Sequence, residues 1–115
     1  MPEPEIKQAI DLFQRAWSAE EMGEMHVAEI YYLRSAFEFE RAGAQYVMDA
    51  ANTLNALAFL RKARGNHEGA IYSAKRSLQI TKKFETQFSN PEVELVRMTA
   101  RDLIDQLMEP EGSLP

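Results

Sequence analysis

An internal offset of 42 residues constrains this 115-residue chain more than any other feature of its sequence. When the sequence is shifted by 42 positions without a gap, apolar, small and turn residues coincide. The matching pairs are Ala9 and Ala51, Leu12 and Leu54, Ala16 and Ala58, Gly23 and Gly65, Ala28 and Ala70, Arg34 and Arg76, and Ser35 and Ser77. An ungapped offset with a glycine in register is typical of repeated helical hairpins. The chain is therefore predicted to contain two such hairpins.

Apolar residues spaced three and four apart predict helices on both sides of each turn glycine. The predicted helices span about 3–22, 24–42, 45–64, 66–85 and 91–108. Gly23 and Gly65 interrupt the two hairpins, and Asn66 is suited to cap the helix that follows it. Asn90 and Pro91 form the clearest helix start in the chain. No segment alternates as a strand would, so an all-α fold of five helices is predicted.

The length predicts one domain, and 115 residues are enough to bury a core without disulfides or metals. We expect the domain to span 1–108. It would contain a first repeat at about 6–43, a second at about 45–86 and a capping helix at about 91–108. Residues 109–115 hold one glycine and two prolines, which predicts a flexible tail.

Composition narrows the class of protein further. The absence of cysteine rules out disulfides and thiolate chemistry, and fits a cytoplasmic location. The N-terminus lacks the regions of a signal peptide, and no apolar run approaches the ~20 residues of a membrane span. The net charge of −5 argues against a general nucleic-acid binder. The charge is distributed unevenly along the chain. Residues 61–83 carry 7 basic and 1 acidic side chains, and the segments on either side are acidic.

The two hairpins resemble tetratricopeptide repeats. That family places large apolar residues and a small residue on the first helix, a glycine in the turn, and an alanine and a large residue on the second helix. The residues that fill this pattern are Leu54, Leu57, Ala58, Gly65, Ala70 and Leu78, echoed by Leu12, Ala16, Gly23, Ala28 and Tyr32. The 42-residue period and the run Leu54-Asn55-Ala56-Leu57-Ala58 are similar to the kinesin-light-chain subtype. The resemblance implies a right-handed superhelix of two hairpins and a C-terminal solvating helix.

Two positions of the first hairpin depart from the family pattern. Arg15 stands in place of a leucine, and Glu29 stands in place of the large residue after Ala28. A terminal repeat has one exposed side, so both departures are expected to be tolerated. The small residues are expected to let neighbouring backbones approach closely, and they are Ala16, Ala28, Ala58 and Ala70.

The resemblance also implies that a partner binds on the first helix of each hairpin. The implied contact residues are Phe13, Gln14, Trp17, Asn52, Asn55, Phe59 and Lys62. Phe13, Trp17 and Phe59 would form an aromatic wall, and the two asparagines would bond a peptide backbone. The competing interpretation is that these aromatic side chains pack between adjacent helices. Ala56 replaces the family's second asparagine, and Phe13 and Trp17 occupy two positions of the basic clamp that binds C-terminal carboxylates in some relatives.

Residues 61–83, which we call the basic centre, carry enough positive charge to suggest binding of nucleic acid or phosphate. Arg61 and Lys62 would end one helix of the second hairpin, while Lys82 and Lys83 would end the other. Because cations complement the negative end of a helix dipole, we interpret these residues as helix-end charges.

No catalytic or metal-binding pattern stands out in the sequence. His26 and His67 lie far apart in the chain, and the carboxylates are scattered. We therefore expect an adaptor that binds a partner protein or peptide, without enzymatic activity, metal or cofactor. The alternative is a homo-oligomerisation module, because some apolar side chains have no clear place inside one chain. These are Met22, Met25, Tyr31, Phe37 and Tyr46.

Overall fold

The computed structural model describes residues 4–84 and 90–108, and these residues are helical except at the turns. The five α-helices are α1 (Pro4–Glu21), α2 (Met25–Ala42), α3 (Val47–Ala63), α4 (His67–Thr81) and α5 (Pro91–Met108). Within the described ranges no residue lies in a strand, so the predicted all-α class and its five α-helices are confirmed. The predicted start of the first helix at residue 3 and the predicted tail at 109–115 lie outside the described residues.

Two helix boundaries differ from the prediction by more than one residue, because other hydrogen bonds replace the α-helical ones. Residues 44–46 form a 3-10 turn instead of the start of α3, closed by a bond from the Tyr46 amide to the Gly43 carbonyl. α4 was expected to reach about residue 85, but it ends at Thr81. There the Leu78 carbonyl accepts a hydrogen bond from Arg97 of α5, and the Lys82 amide turns to Gln79 instead.

The 42-residue offset is reproduced in the geometry of the two tight turns. Gly23 and Gly65 have φ angles of +80° and +83°, a left-handed conformation that favours glycine. The amide after each glycine bonds back to the carbonyl five residues earlier, at 2.8 Å in both turns. These bonds join Glu24 to Ala19 and Asn66 to Arg61. Each glycine therefore ends one helix and sets the direction of the next.

Both predicted asparagine caps are confirmed. The Asn66 side-chain oxygen accepts a hydrogen bond from the Gly69 amide at 3.0 Å, which caps α4. The Asn90 side-chain oxygen accepts one from the Glu92 amide at 2.9 Å, at the start of α5. Each cap satisfies an amide that the first helical turn leaves without a partner.

Successive helices pack against one another along the chain, and α5 also contacts α3. α1 and α2 run antiparallel, and the Ser35 hydroxyl donates to the Ala9 carbonyl across them at 2.7 Å. α3 and α5 run parallel, since Asn55 bonds to Val96 and Lys62 bonds to Gln106. The parallel arrangement brings the N-termini of α3 and α5 to the same edge of the protein.

The core depends on small residues where helices meet. Ala16, Ala28, Ala58 and Ala70 have no exposed surface, as expected of small residues at positions where helices pack together. Larger side chains fill the remaining space. One buried cluster joins α1, α2 and α3, and its larger members are Tyr32, Leu57 and Leu60. Among the described helices, none is both long and apolar enough to cross a membrane.

Candidate functional site

A surface cavity of about 400 Å³ lies between α1 and α3, beside the C-terminal part of α2. We call it the α1–α3 cavity. Its lining residues are Ile10, Phe13, Gln14, Trp17, Phe39, Asp49, Asn52 and Thr53. Four of the seven residues implied for partner contact are among them. A mostly apolar wall with a few polar groups is the usual composition of a binding site.

Helical spacing explains why these side chains face one another. Ile10, Phe13 and Trp17 follow one another at intervals of three and four residues, which places them on one face of α1. Asp49, Asn52 and Thr53 have the same kind of spacing and share one face of α3. The cavity is the space between these two faces.

Phe13 forms a fixed part of the cavity wall. Its ring meets the Tyr32 ring edge to face, with 5.5 Å between ring centroids. The Tyr32 hydroxyl donates to Glu20 at 2.8 Å. Burial raises the pKa of Tyr32, and the bond to Glu20 raises it further, so the hydroxyl keeps its proton. Phe13 therefore packs inside the chain and also presents part of its ring to the cavity.

Trp17 lies at the rim of the cavity and is 58% exposed. Gln14 and Asn52 also line the cavity and are exposed. Their amide groups can both donate and accept hydrogen bonds, as the backbone of a bound segment requires. The rim thus combines one large aromatic surface with two amide groups.

Asp49 is exposed to solvent and places a carboxyl group at the edge of this mostly apolar lining. Partial burial raises the pKa of Asp49, and the nearby negative charge of Glu92 raises it further. Among the described residues no arginine or lysine forms an ion pair with Asp49. The cavity therefore has a negative edge where α3 and α5 begin.

The other three implied contact residues lie outside the cavity. Asn55 is 6% exposed, and its side-chain amide donates to the Val96 carbonyl of α5 at 3.1 Å. Lys62 donates to Gln106 of α5 at 2.8 Å. Phe59 is exposed two turns beyond Asn52 on the same face of α3. The expectation that Asn55 is open to a partner is thus corrected, because α5 packs along this side of α3.

Four cavity residues are not among the implied contact residues, namely Ile10, Phe39, Asp49 and Thr53. Phe39 belongs to α2, whereas the resemblance implies contact residues only on the first helix of each hairpin. Asp49 lies three residues before Asn52 and four before Thr53, and this helical spacing is a signal that could have found both residues.

Several arginines of the basic centre do more than complement helix dipoles, because they form contacts between helices. Arg61 donates to Glu29 at 3.0 Å, to the Ser73 hydroxyl at 2.8 Å and to the Gly69 carbonyl at 3.2 Å. Arg64 pairs with the same glutamate, and Arg76 pairs with Glu40. These contacts connect α2 to α3 and α4. Glu29, which departs from the family pattern, thereby gains a partner in the second hairpin.

Of the five apolar side chains that had no predicted position in the core, three are partly buried in the structure. Met25, Tyr31 and Tyr46 are partly buried against the core, whereas Met22 and Phe37 are exposed.

Phe37 belongs to a larger set of exposed apolar residues that share one face of α2. We call this set the α2 stripe, and it consists of Val27, Ile30, Leu33 and Phe37.

Comparisons with known proteins do not assign this site. No protein-family model matches the chain. Searches of curated proteins and of solved structures also gave no match. Within the described residues, no group of three or more histidine, cysteine or acidic side chains is arranged to hold a metal ion. The function is therefore inferred from the cavity and the exposed surfaces.

Proposed function

We propose that this protein is a non-enzymatic helical scaffold that binds a segment of a partner protein in the α1–α3 cavity. The observation that carries the proposal is an open, mostly apolar cavity with Trp17 exposed at its rim. A chain that leaves an aromatic side chain of this size exposed beside a cavity has a preformed place for a partner's side chain.

A tetratricopeptide-like arrangement is part of the same proposal. The equivalent turns at Gly23 and Gly65 and the buried small residues in register support two related hairpins. In this arrangement α5 is the final solvating helix, which covers one side of α3 and α4. Repeat scaffolds of this kind bind extended segments or helices on a surface formed by stacked helices.

The binding mode follows from the cavity lining. A bulky apolar side chain of the partner would enter between Phe13 and Phe39 and lose its contact with water. Trp17 would cover it from the rim, while Gln14 and Asn52 would bond the partner's backbone. Because the cavity walls belong to packed helices, little reorganisation would oppose binding.

Replacing Trp17 with alanine is expected to reduce partner capture about tenfold or more, the loss typical of a central aromatic residue in an interface. Folding should be unchanged because the side chain is mostly exposed. The measurement is quantitative mass spectrometry of proteins retained from cell extract by the immobilised chain, followed by affinity measurement with each purified partner. Tyr72→Ala is the matched control, since Tyr72 is an exposed aromatic residue on α4, away from the cavity. Equal capture by wild type and Trp17→Ala would exclude the α1–α3 cavity as the binding site.

The α2 stripe favours a second candidate function, self-association. Its four side chains recur at intervals of three and four residues and lie opposite the buried face of α2, which includes Ala28. A continuous apolar face of this kind could pack against the same face of a second copy around a two-fold axis. The stripe is separate from the α1–α3 cavity, so the two functions are compatible.

Sedimentation velocity at micromolar to millimolar concentration tests self-association. If α2 is the interface, the wild type should show a concentration-dependent dimer, and Leu33→Glu should remain monomeric because it buries a charge in that interface. Leu95→Glu provides the control, because Leu95 is comparably exposed on α5. A wild type that stays monomeric over this range rules the second function out.

A further inference from the structure

The negative edge of the α1–α3 cavity is formed where two parallel helices begin. Asp49 lies in the first turn of α3, and Glu92 lies in the first turn of α5. An acidic residue in the first turn of a helix is ordinary, because it complements the helix dipole. The helix dipole does not explain why the negative charges of Asp49 and Glu92 repel each other. Nor does it explain why Asp49 lines a mostly apolar cavity. The repulsion between the two carboxylates would be relieved by a cation placed between them or beside Asp49.

Two carboxylates that lie between helices have cationic partners. Glu29 pairs with Arg61 and Arg64, and Glu40 pairs with Arg76. Asp49 forms no such ion pair with another described residue, and its carboxyl group is exposed at the edge of the cavity. Among the described residues, these two glutamates therefore have cationic partners, whereas the carboxylate at the edge of the cavity has none.

We propose that the α1–α3 cavity selects partner segments in which a bulky apolar side chain is accompanied, within a few residues, by lysine or arginine. This inference rests on the proposed function and adds the chemistry of the partner. The apolar side chain occupies the space between α1 and α3, and the cation lies at the Asp49 edge. Charge complementarity decides between basic and acidic segments, because an acidic side chain at this edge would add a third negative charge.

The test is a selection from a random library of twelve-residue peptides displayed on phage, against the immobilised full chain. Wild type is expected to enrich peptides with an aromatic or large aliphatic residue and a lysine or arginine within four positions. Asp49→Asn should still enrich the apolar residue but lose the basic preference. Asp105→Asn has the same charge change on the exposed surface of α5 and should select as the wild type does.

The outcomes separate this inference from the proposed function. Apolar enrichment that requires Trp17 but shows no basic preference would overturn the inference and leave the proposed function standing. Peptides that bind Trp17→Ala as well as they bind the wild type would overturn the proposed function itself. A basic preference that survives in Asp49→Asn would place the cation elsewhere and likewise reject the inference.

An affinity measurement gives the size of the effect. For a synthetic peptide with the most enriched sequence, Asp49→Asn is expected to raise the dissociation constant about fivefold, the contribution of one partly exposed ion pair. Replacing the peptide's basic residue with glutamine should cost wild type a similar factor and cost Asp49→Asn little. Raising the salt concentration should weaken binding to the wild type more than to the variant, because salt screens the ion pair. Equal losses in both proteins would contradict a contact between the cation and Asp49.

Discussion

Replacing Leu57 with alanine is expected to lower the free energy of unfolding by about 2–5 kcal/mol, the range for leucine truncation in a protein core. Leu57 has no exposed surface, and it belongs to the cluster that joins α1, α2 and α3. Truncation removes contacts to three helices and leaves a cavity that fully packed neighbours cannot fill. Since small domains are stable by only about 5–15 kcal/mol, this single change would remove a large part of the stability.

Urea denaturation followed by circular dichroism measures the effect of Leu57→Ala. Leu95→Ala is the matched control, because it is the same substitution at a position of α5 that is 62% exposed. Its free energy of unfolding should change by no more than about 0.5 kcal/mol. Similar losses in the two variants would show that the cluster around Leu57 does not hold the first hairpin to α3.

Breaking the contact between Glu29 and Arg61 is expected to give the second largest loss of stability. The two side chains are only 19% and 15% exposed, and Arg61 also bonds to Ser73 and Gly69. Glu29→Gln removes the charge from a group that accepts hydrogen bonds from two arginines. The loss should be about 1–3 kcal/mol, because partly buried charged groups lose their compensation.

A double-mutant cycle isolates this contact. We expect the losses caused by Glu29→Gln and by Arg61→Met to be non-additive, since each substitution removes the same interaction. Asp11→Asn serves as the control, because it alters an exposed ion pair with Arg15 within a single helix and should leave stability unchanged. Additive losses at Glu29 and Arg61 would mean that this ion pair does not couple the two hairpins.

The sequence predicted the parts of the fold that depend on neighbours in the chain. Gly23 and Gly65 adopt left-handed conformations, and both asparagine caps form the expected bonds. The start of α3 at Val47 and the end of α4 at Thr81 were predicted less accurately. The end of α4 at Thr81 shows why such boundaries are hard to predict. There the Leu78 carbonyl accepts a hydrogen bond from Arg97, which belongs to another helix.

The candidate site was predicted only in part. The resemblance to tetratricopeptide repeats, carried over by position, grouped Phe13, Trp17 and Asn52, which all line the cavity. It could not exclude Asn55, which differs from Asn52 by less than one turn but faces α5. Nor could it include Phe39, because that residue reaches the cavity from α2.

The sequence by itself determined the helices, their turns and the small residues at which they meet. Periodicity, glycine conformation and side-chain volume are local properties that can be read from the order of residues. Only the tertiary structure decided which charges are paired and which surfaces are left open. In the tertiary structure Arg61 pairs with Glu29, α5 covers Asn55, and Asp49 lies exposed at the edge of the cavity. The physical reason is that a charge or an open surface depends on helices distant in the chain, and packing alone brings them together.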